Sequence, residues 1–179
     1  MRQIINVGAT DNDGTGDPIR AAFTKTNAMF AELYSKHHIS AYSSVTQTNS
    51  ATTNLISYNN IDIAQGISIN NATQVTVTAD GVYNIQFSAQ LDRTVNGTDQ
   101  VTIWLLRNGV AIPWTASHVT LSGTAAAAKL IPAWNFLVAA NAGDYFELAW
   151  SSAEPAVRLL ADAANNPAVP SIILTMVQI

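Results

Sequence analysis

From residue 61 onward the sequence alternates apolar and polar residues and is interrupted at short intervals by turn residues. The turn signals are Asp80-Gly81, Asn96-Gly97, Asn108-Gly109, Ser122-Gly123 and Ala142-Gly143-Asp144. Between them lie strand candidates over residues 72–78, 82–91, 99–107, 110–116, 128–139, 144–151, 156–161 and 170–178. Many short strands separated by turns predict a mainly β fold, either a sandwich or a barrel.

The best-defined hairpin is predicted at Asn108-Gly109. This pair separates the apolar run 104–106 from the run 110–112. A two-residue type I′ turn requires positive φ at both central residues, and Asn-Gly meets that requirement.

Charged residues are scarce, at 11% of 179 residues, whereas an average soluble domain has about 25%. The deficit suggests that part of the surface is covered by other chains, because subunit interfaces hide area that would otherwise carry charge. A neutral surface rich in Thr and Asn is the alternative explanation. The net charge of −4 and the lack of a basic run argue against a nucleic-acid partner.

The first 36 residues differ in pattern from the rest. Residues 1–16 contain a short apolar strand signal and the turn-rich run Asp11-Asn12-Asp13-Gly14-Thr15-Gly16. Asp17 and Pro18 then predict the start of a helix over 17–35, because Asp is a preferred N-cap and Pro is favoured at the first helical position. We therefore expect one α-helix before the β-domain.

The predicted helix carries an apolar stripe with steps of four, three, four and three residues. Its members are Ile19, Phe23, Thr26, Phe30 and Leu33. This is a two-heptad seam, and a helix of this length is marginally stable alone. The stripe either packs on the chain's own β-domain or joins three or so copies of the chain.

We divide the chain into an N-terminal module over 1–36, a segment 37–60, and an all-β domain over 61–179. Segment 37–60 is rich in Ser, Thr and Asn and is either a linker or the first strands of the sandwich. The N-terminus is too polar for a signal peptide, and no apolar run reaches the roughly 18–20 residues that span a bilayer. We expect a protein made in a cytoplasm, with no membrane partner.

The N-terminal module combines a short strand, a Gly- and Asp-rich loop and a helix in fixed order. The positions that carry this order are Ile5-Asn6-Val7-Gly8-Ala9-Thr10, Asn12-Asp13-Gly14-Thr15-Gly16-Asp17, Ile19-Arg20, Ala22-Phe23, Lys25, Asn27, Phe30 and Glu32-Leu33-Tyr34. In these residues the segment resembles a module found at the start of many tailed-bacteriophage structural proteins, including fibre, neck and head-appendage proteins. The resemblance implies a virion protein anchored to the particle through its N-terminus.

A second set of motifs recurs along the β-part. They are Asp80-Gly81-Val82-Tyr83, Phe87-Ser88, Leu105-Leu106-Arg107-Asn108-Gly109, Leu137, Ala142-Gly143-Asp144-Tyr145-Phe146-Glu147-Leu148 and the apolar strand 171–177. In this order they are similar to the trimeric jelly-roll superfamily of complement globular heads and tumour necrosis factors. The resemblance implies a homotrimer and an antiparallel jelly-roll β-sandwich over residues 61–179; no motif matches that family's calcium or receptor residues.

We find no catalytic or metal-binding pattern in the sequence. Asp11, Asp13 and Thr15 match the first half of a calcium loop, but its twelfth position is Ala22 instead of Glu. His37, His38 and His118 are the only histidines in the sequence. They would bind a metal or an anion only in a threefold assembly, where the same histidine from three chains meets on the axis. The sequence contains none of the nucleophile, phosphate-loop or metalloprotease motifs. We expect no enzyme activity and no cofactor.

The candidate functional residues are therefore structural ones. The seam of the helix is Ile19, Phe23, Thr26, Phe30 and Leu33, and the turn and cap before it are Gly14, Gly16, Asp17 and Pro18. Aromatic residues that anchor a core or an interface are Tyr83, Phe87, Trp104, Trp134 and Trp150, with Trp114 belonging to the same class. For the four tryptophans the alternative is a platform on which a sugar stacks.

Our hypothesis is a trimeric virion protein that decorates the head or forms a head fibre or a neck or tail appendage. Its partners would be two further copies and other virion proteins. The first alternative is a tail tip that binds a host surface glycan or protein, with loops 92–99 and 117–127 as candidates. A small capsule-degrading enzyme is disfavoured by the lack of a carboxylate pair. A cellular binding module is disfavoured by the N-terminal resemblance.

Overall fold

A computed structural model describes residues 3–11, 13–125 and 128–179. Asn12 of the predicted turn and the last two residues of the predicted loop 117–127 lie outside the described residues. The chain divides into two units, Met1–Lys36 and His37–Ile179.

The loop of the first unit closes on the carboxylate of Asp13. This group accepts hydrogen bonds from the backbone N of Ala9 at 2.7 Å, Thr10 at 2.8 Å and Thr15 at 2.8 Å, and from Thr15 Oγ1 at 2.8 Å. These bonds hold the pKa of Asp13 well below its usual range, and the bond from the Thr15 backbone has the largest effect. The Asp/Gly run thus acts as an internal brace for a turn.

Helix α1 spans Ile19–Tyr34, and Pro18 occupies its N-cap without a side-chain capping bond. The predicted cap at Asp17 is therefore wrong. The carboxylate of Asp17 instead accepts from the backbone N of Asn6 at 2.9 Å and from Lys25 Nζ at 2.6 Å. These contacts tie the start of the unit to its helix and lower the pKa of Asp17, the Lys25 bond being the largest cause.

The second unit is built from antiparallel strands throughout its described residues. The strands are β1 His38–Ser43, β2 Gln47–Thr48, β3 Asn54–Leu55, β4 Asn60–Gln65, β5 Ile67–Asn70, β6 Gln74–Val77, β7 Gly81–Ala89, β8 Leu91–Arg93, β9 Gly97–Arg107, β10 Val110–Ala111, β11 Ser117–Gly123, β12 Lys129–Leu130, β13 Ala133–Ala140, β14 Tyr145–Ser152, β15 Val157–Leu159 and β16 Ile172–Gln178. Among the described residues, no helix is both long and apolar enough to cross a membrane.

Two large sheets form the sandwich. One has the order β13-β7-β16-β1-β4; the other has the order β10-β9-β14-β6-β5, with β11 pairing β9 and β3 pairing β14. A smaller sheet, β12-β8-β15-β2, completes the domain. The fold is the jelly-roll sandwich that the sequence predicts.

Alternation along the strands builds the core. On β7, Tyr83, Ile85 and Phe87 are buried, while the residues between them point outward. On the facing sheet Ile103 and Trp150 are fully buried. This is the burial pattern that a period of two predicts.

The segment 37–60 supplies the first strands of the sandwich. Strand β1 pairs with β16 on one side and with β4 on the other. It therefore lies inside the five-stranded sheet.

The Asn108-Gly109 hairpin has the geometry of a type I′ turn. Asn108 has φ 52° and Gly109 has φ 79°, and Arg107 pairs with Val110 across the turn. Asp144 ties this turn to the next one, because its carboxylate contacts Arg107 and accepts from Asn108 Nδ2 at 2.7 Å and from Asn141 N at 2.7 Å.

One strand prediction and one loop prediction are wrong. The candidate 110–116 ends at Ala111, because Pro113 and Trp114, with φ 66°, turn the chain away. The candidate loop 117–127 contains strand β11, which pairs with β9 over seven residues. Its alternation of polar residues with Val119 and Leu121 was too weak to be recognised as a strand.

Replacement of Asp13 by Ala should release the first unit's loop. The amide protons of Ala9, Thr10 and Thr15 are expected to exchange about tenfold faster or more, because their common acceptor is gone. Hydrogen exchange read by NMR measures this effect. Asp11→Ala, a neighbouring carboxylate, is the matched control; an equal acceleration there would contradict the bracing role of Asp13.

The Asp144→Asn variant should lower Tm by a few degrees at neutral pH and by less in acid. Hydrogen bonds lower the pKa of Asp144 to about 2, below the usual value of about 3.9. The bond from the Asn108 side chain has the largest effect, followed by those from the Asn141 backbone and from Arg107. The ionised carboxylate therefore stabilises the fold above about pH 4, and this contribution is lost as pH falls through about 2. Thermal melts from pH 7 to pH 2 test this. A Tm difference that stays constant would show that charge is not the cause.

Candidate assembly surface

The outward side of the five-stranded sheet carries almost no charge, and we call it the neutral face. Its strands β13, β7, β16, β1 and β4 contain no Lys or Arg, one carboxylate and one imidazole. The carboxylate is Asp62 on the edge strand β4, where it accepts a hydrogen bond from Ser40 Oγ at 3.3 Å. The imidazole is His38, at the start of β1.

Strand register fixes which residues are neighbours on the neutral face. The rungs that cross the sheet are Leu137–Asn84–Val177–His38, Asn135–Gln86–Thr175–Ser40–Ile63 and Ala133–Ser88–Ile173–Tyr42. Apolar and neutral hydrogen-bonding side chains therefore alternate across the face.

Large apolar side chains on these strands are exposed. Leu137 is 63% exposed, Ile63 58%, Val177 43% and Ile173 41%. Single exposed apolar residues are normal, but a face without charge that carries several of them is typical of an interaction surface.

Two shallow depressions flank Gln86 on the neutral face. One, of about 210 Å³, is lined by Phe87, Ser88, Ile173 and Thr175; the other, of about 260 Å³, by Phe87 and residues 133–135. A groove of about 300 Å³ adjoins them, between Tyr42, Asp62 and Ile173 and the segment 163–170. The face thus has relief into which side chains of another molecule can pack.

Three ion pairs of the second unit involve no side chain from the five strands of the neutral face: Arg93–Asp99 at 2.8 Å, Arg158–Asp92 at 2.7 Å and Arg107–Asp144. Arg93 is 2% exposed and Asp92 is 1% exposed. Charged side chains here hold strands and turns together within the chain.

The aromatic residues predicted as core or interface anchors divide into three groups. Tyr83, Phe87 and Trp150 are buried. Trp104 and Trp134 are half-buried, and the Trp134 ring lies edge-on to Phe87 with centroids 4.7 Å apart. Trp114 is fully exposed, so a core role for it is wrong.

The hydroxyl of the buried Tyr83 has two polar neighbours. Its hydroxyl donates to the carbonyl of Ala79 at 2.8 Å and lies 3.4 Å from His37 Nδ1. Burial, with a smaller contribution from Asp80, raises the pKa of Tyr83. His118 Nδ1 lies 2.9 Å from Thr102 Oγ1. Within the described residues no group of three His, Cys, Asp or Glu side chains is placed to hold a metal ion.

The stripe on α1 is exposed. Ile19 is 78% exposed, Phe23 63%, Leu33 56% and Phe30 52%. Thr26 is half-buried and donates its hydroxyl to the carbonyl of Ala22 at 3.0 Å.

The neutral face is not evident from the sequence alone. A signal was present, because no Lys or Arg occurs between Lys36 and Arg93, or between Lys129 and Arg158. Four of the five strands of the face lie in these two intervals. The pairing that brings them side by side cannot be deduced from that spacing.

Comparison with known proteins shows the fold. No family model matches the sequence, and no curated protein matches it. The structure of this chain is similar to two crystal structures of murine APRIL. The structure determined at pH 8.5 aligns with a TM-score of 0.53 and 12% sequence identity, and the one at pH 8.0 with a TM-score of 0.55 and 11% identity. Both alignments cover 80% of this chain and 99% of APRIL. The chain therefore contains a jelly roll like that of tumour necrosis factors.

Proposed function

We propose that this chain is a structural protein of a tailed-bacteriophage virion that works as a homotrimer and has no enzymatic role. Its N-terminal module attaches to a head, neck or tail component, and its jelly roll is displayed on the particle. The neutral face of the five-stranded sheet is the observation that carries the assembly.

Copies of one chain around a rotation axis bring the same residues close to the axis. A face with charges of one sign would repel its own copies, whereas a neutral face has no such cost. Each Leu, Ile or Val that becomes fully buried contributes about 1.5–3 kcal/mol. The exposed Leu137, Ile173 and Val177 therefore favour association, and the alternating Asn, Gln, Ser and Thr supply hydrogen bonds across the contact.

Helix α1 supports the same assembly. A 16-residue helix is marginally stable alone, and its Ile19, Phe23, Phe30 and Leu33 are exposed at heptad spacing. Three copies packed along this seam would bury those side chains. The seam would then align the N-terminal modules of one trimer.

The virion assignment is supported by the first unit. Residues 5–34 resemble the N-terminal module of phage structural proteins, and the bonds of Asp13 and Asp17 make that segment a defined shape. A braced loop can dock on a particle with little further ordering cost.

Light scattering should give a solution mass of three times the 19.1 kDa chain. The double variant Leu137→Glu/Ile173→Glu places like charges of all copies on the neutral face, so we expect dissociation to monomers at micromolar concentration. Val110→Glu is the matched control, since Val110 is 70% exposed on the other large sheet. A wild-type monomer would contradict the trimer.

Phe30→Asp should weaken the trimer about tenfold or more, because it places a carboxylate on the seam of α1 in every copy. Thr24→Asp adds the same charge to an exposed position off the seam and should leave assembly unchanged. Sedimentation equilibrium measures both. Equal behaviour of the two variants would show that the stripe does not join copies.

Antibody labelling of purified particles in the electron microscope should place the protein on the head, neck or tail. Deletion of residues 1–36 should abolish incorporation while the jelly roll still trimerises. Mass spectrometry of particles that detects no trace of the chain would contradict the virion role.

A further inference from the structure

The turn after β10 projects the Trp114 side chain into solvent. This side chain is fully exposed, at 101%, and its backbone has φ 66°. An aromatic residue in the left-handed region is strained. Strain of this kind is retained where the surrounding structure enforces it, and it clusters at binding and catalytic sites.

Thr115 enforces the conformation of the turn. Its Oγ1 donates to the carbonyl of Ile112 at 2.8 Å and accepts from the backbone N of Leu105 at 3.2 Å. Ile112 N also donates to the carbonyl of Leu105 at 2.9 Å. The indole is therefore presented from a turn fastened to the long strand β9.

A ladder of neutral polar pairs leads along β9 and β11 toward this turn. Because Val101, Ile103 and Leu121 are buried, the residues between them face outward. The outward pairs are Thr98–Ser122, with hydroxyls 2.7 Å apart, Gln100–Thr120, and Thr102–His118, at 2.9 Å. The half-buried Trp104 follows them on β9. From Thr98 to Trp104 this ladder is about 20 Å long.

The segment that forms the turn and strand β11 carries no charged residue. Residues 108–125 contain no Lys, Arg, Asp or Glu. The ladder offers hydroxyl, amide and imidazole groups, and the indole offers a flat apolar ring. Such a surface suits a ligand that has many hydroxyls, apolar C–H faces and no charge.

We propose that the β9–β11 ladder together with Trp114 binds a neutral oligosaccharide. A pyranose ring presents a C–H face that stacks on an indole, and its hydroxyls exchange hydrogen bonds with the Thr, Gln and His side chains. An anionic glycan would find no Lys or Arg among residues 108–125. The site lies on the sheet opposite the neutral face and does not rest on the virion assignment.

The test begins with a printed array of neutral and anionic glycans, probed with the full-length chain. Neutral hits are then titrated by Trp fluorescence, where stacking on Trp114 shifts the emission of an exposed indole. We expect at least one neutral oligosaccharide to bind saturably. Binding restricted to anionic glycans, or to none, would overturn the proposal.

Variants connect the binding to the site. Trp114→Asn should weaken it at least tenfold while keeping or raising Tm, because Asn tolerates positive φ better than Trp. Trp114→Phe, which keeps an aromatic ring, should retain most of the affinity. Unchanged affinity in Trp114→Asn would refute the assignment.

The ladder is tested by removing one hydroxyl without changing shape. Thr120→Val should weaken binding about threefold to tenfold. Thr175→Val, the same substitution on the neutral face, is the matched control and should have no effect on glycan affinity. Equal effects of the two variants would place the ligand elsewhere.

Discussion

The pairing of β16 with both β1 and β7 determines the arrangement of the five-stranded sheet. The last strand of the chain lies between the first strand and a middle strand, with Leu174 and Met176 inside the sandwich and Ile173 and Thr175 outside. A shift of one residue would exchange those two sets. The core and the neutral face therefore depend on the same register, because alternate residues of the same strands form the two surfaces.

The two large sheets have different outward chemistry. The five-stranded sheet presents apolar residues mixed with amides and hydroxyls, and among its described residues its one carboxylate lies on the edge strand. The outer side of β9 and β11 presents paired polar groups beside Trp104. One sheet is therefore suited to association with identical copies and the other to contact with a hydrated ligand. In the proposed trimer this division would leave three equivalent polar surfaces available.

Most strands could be predicted from the sequence because their inward residues are large and their turns contain Gly or Asn. The hairpin at Asn108-Gly109 is the clearest case, since positive φ at two successive positions allows few other sequences. Strand β11 was missed because its outward positions are Ser, Thr and His, which are also common in loops. The helix begins after the predicted position because the Asp17 carboxylate bonds to Asn6 and Lys25 instead of capping the helix. A single sequence does not show which of these partners Asp17 takes. The exposure of Trp114 was likewise unpredictable, because Trp is usually buried.

The shortage of charge has a structural explanation that composition alone does not provide. Six of the twelve charged side chains of the β-domain form three ion pairs inside the chain: Arg93 with Asp99, Arg158 with Asp92, and Arg107 with Asp144. The pair Arg93–Asp99 spans a turn, whereas the other two pairs join strands or turns that are far apart in the sequence. Each pair holds the two segments that it joins in a fixed position. The strands of the neutral face contain one carboxylate and no Lys or Arg, so little charge keeps this face apart from other molecules in solution. The proposed closed trimer would cover the neutral face without leaving an open-ended contact.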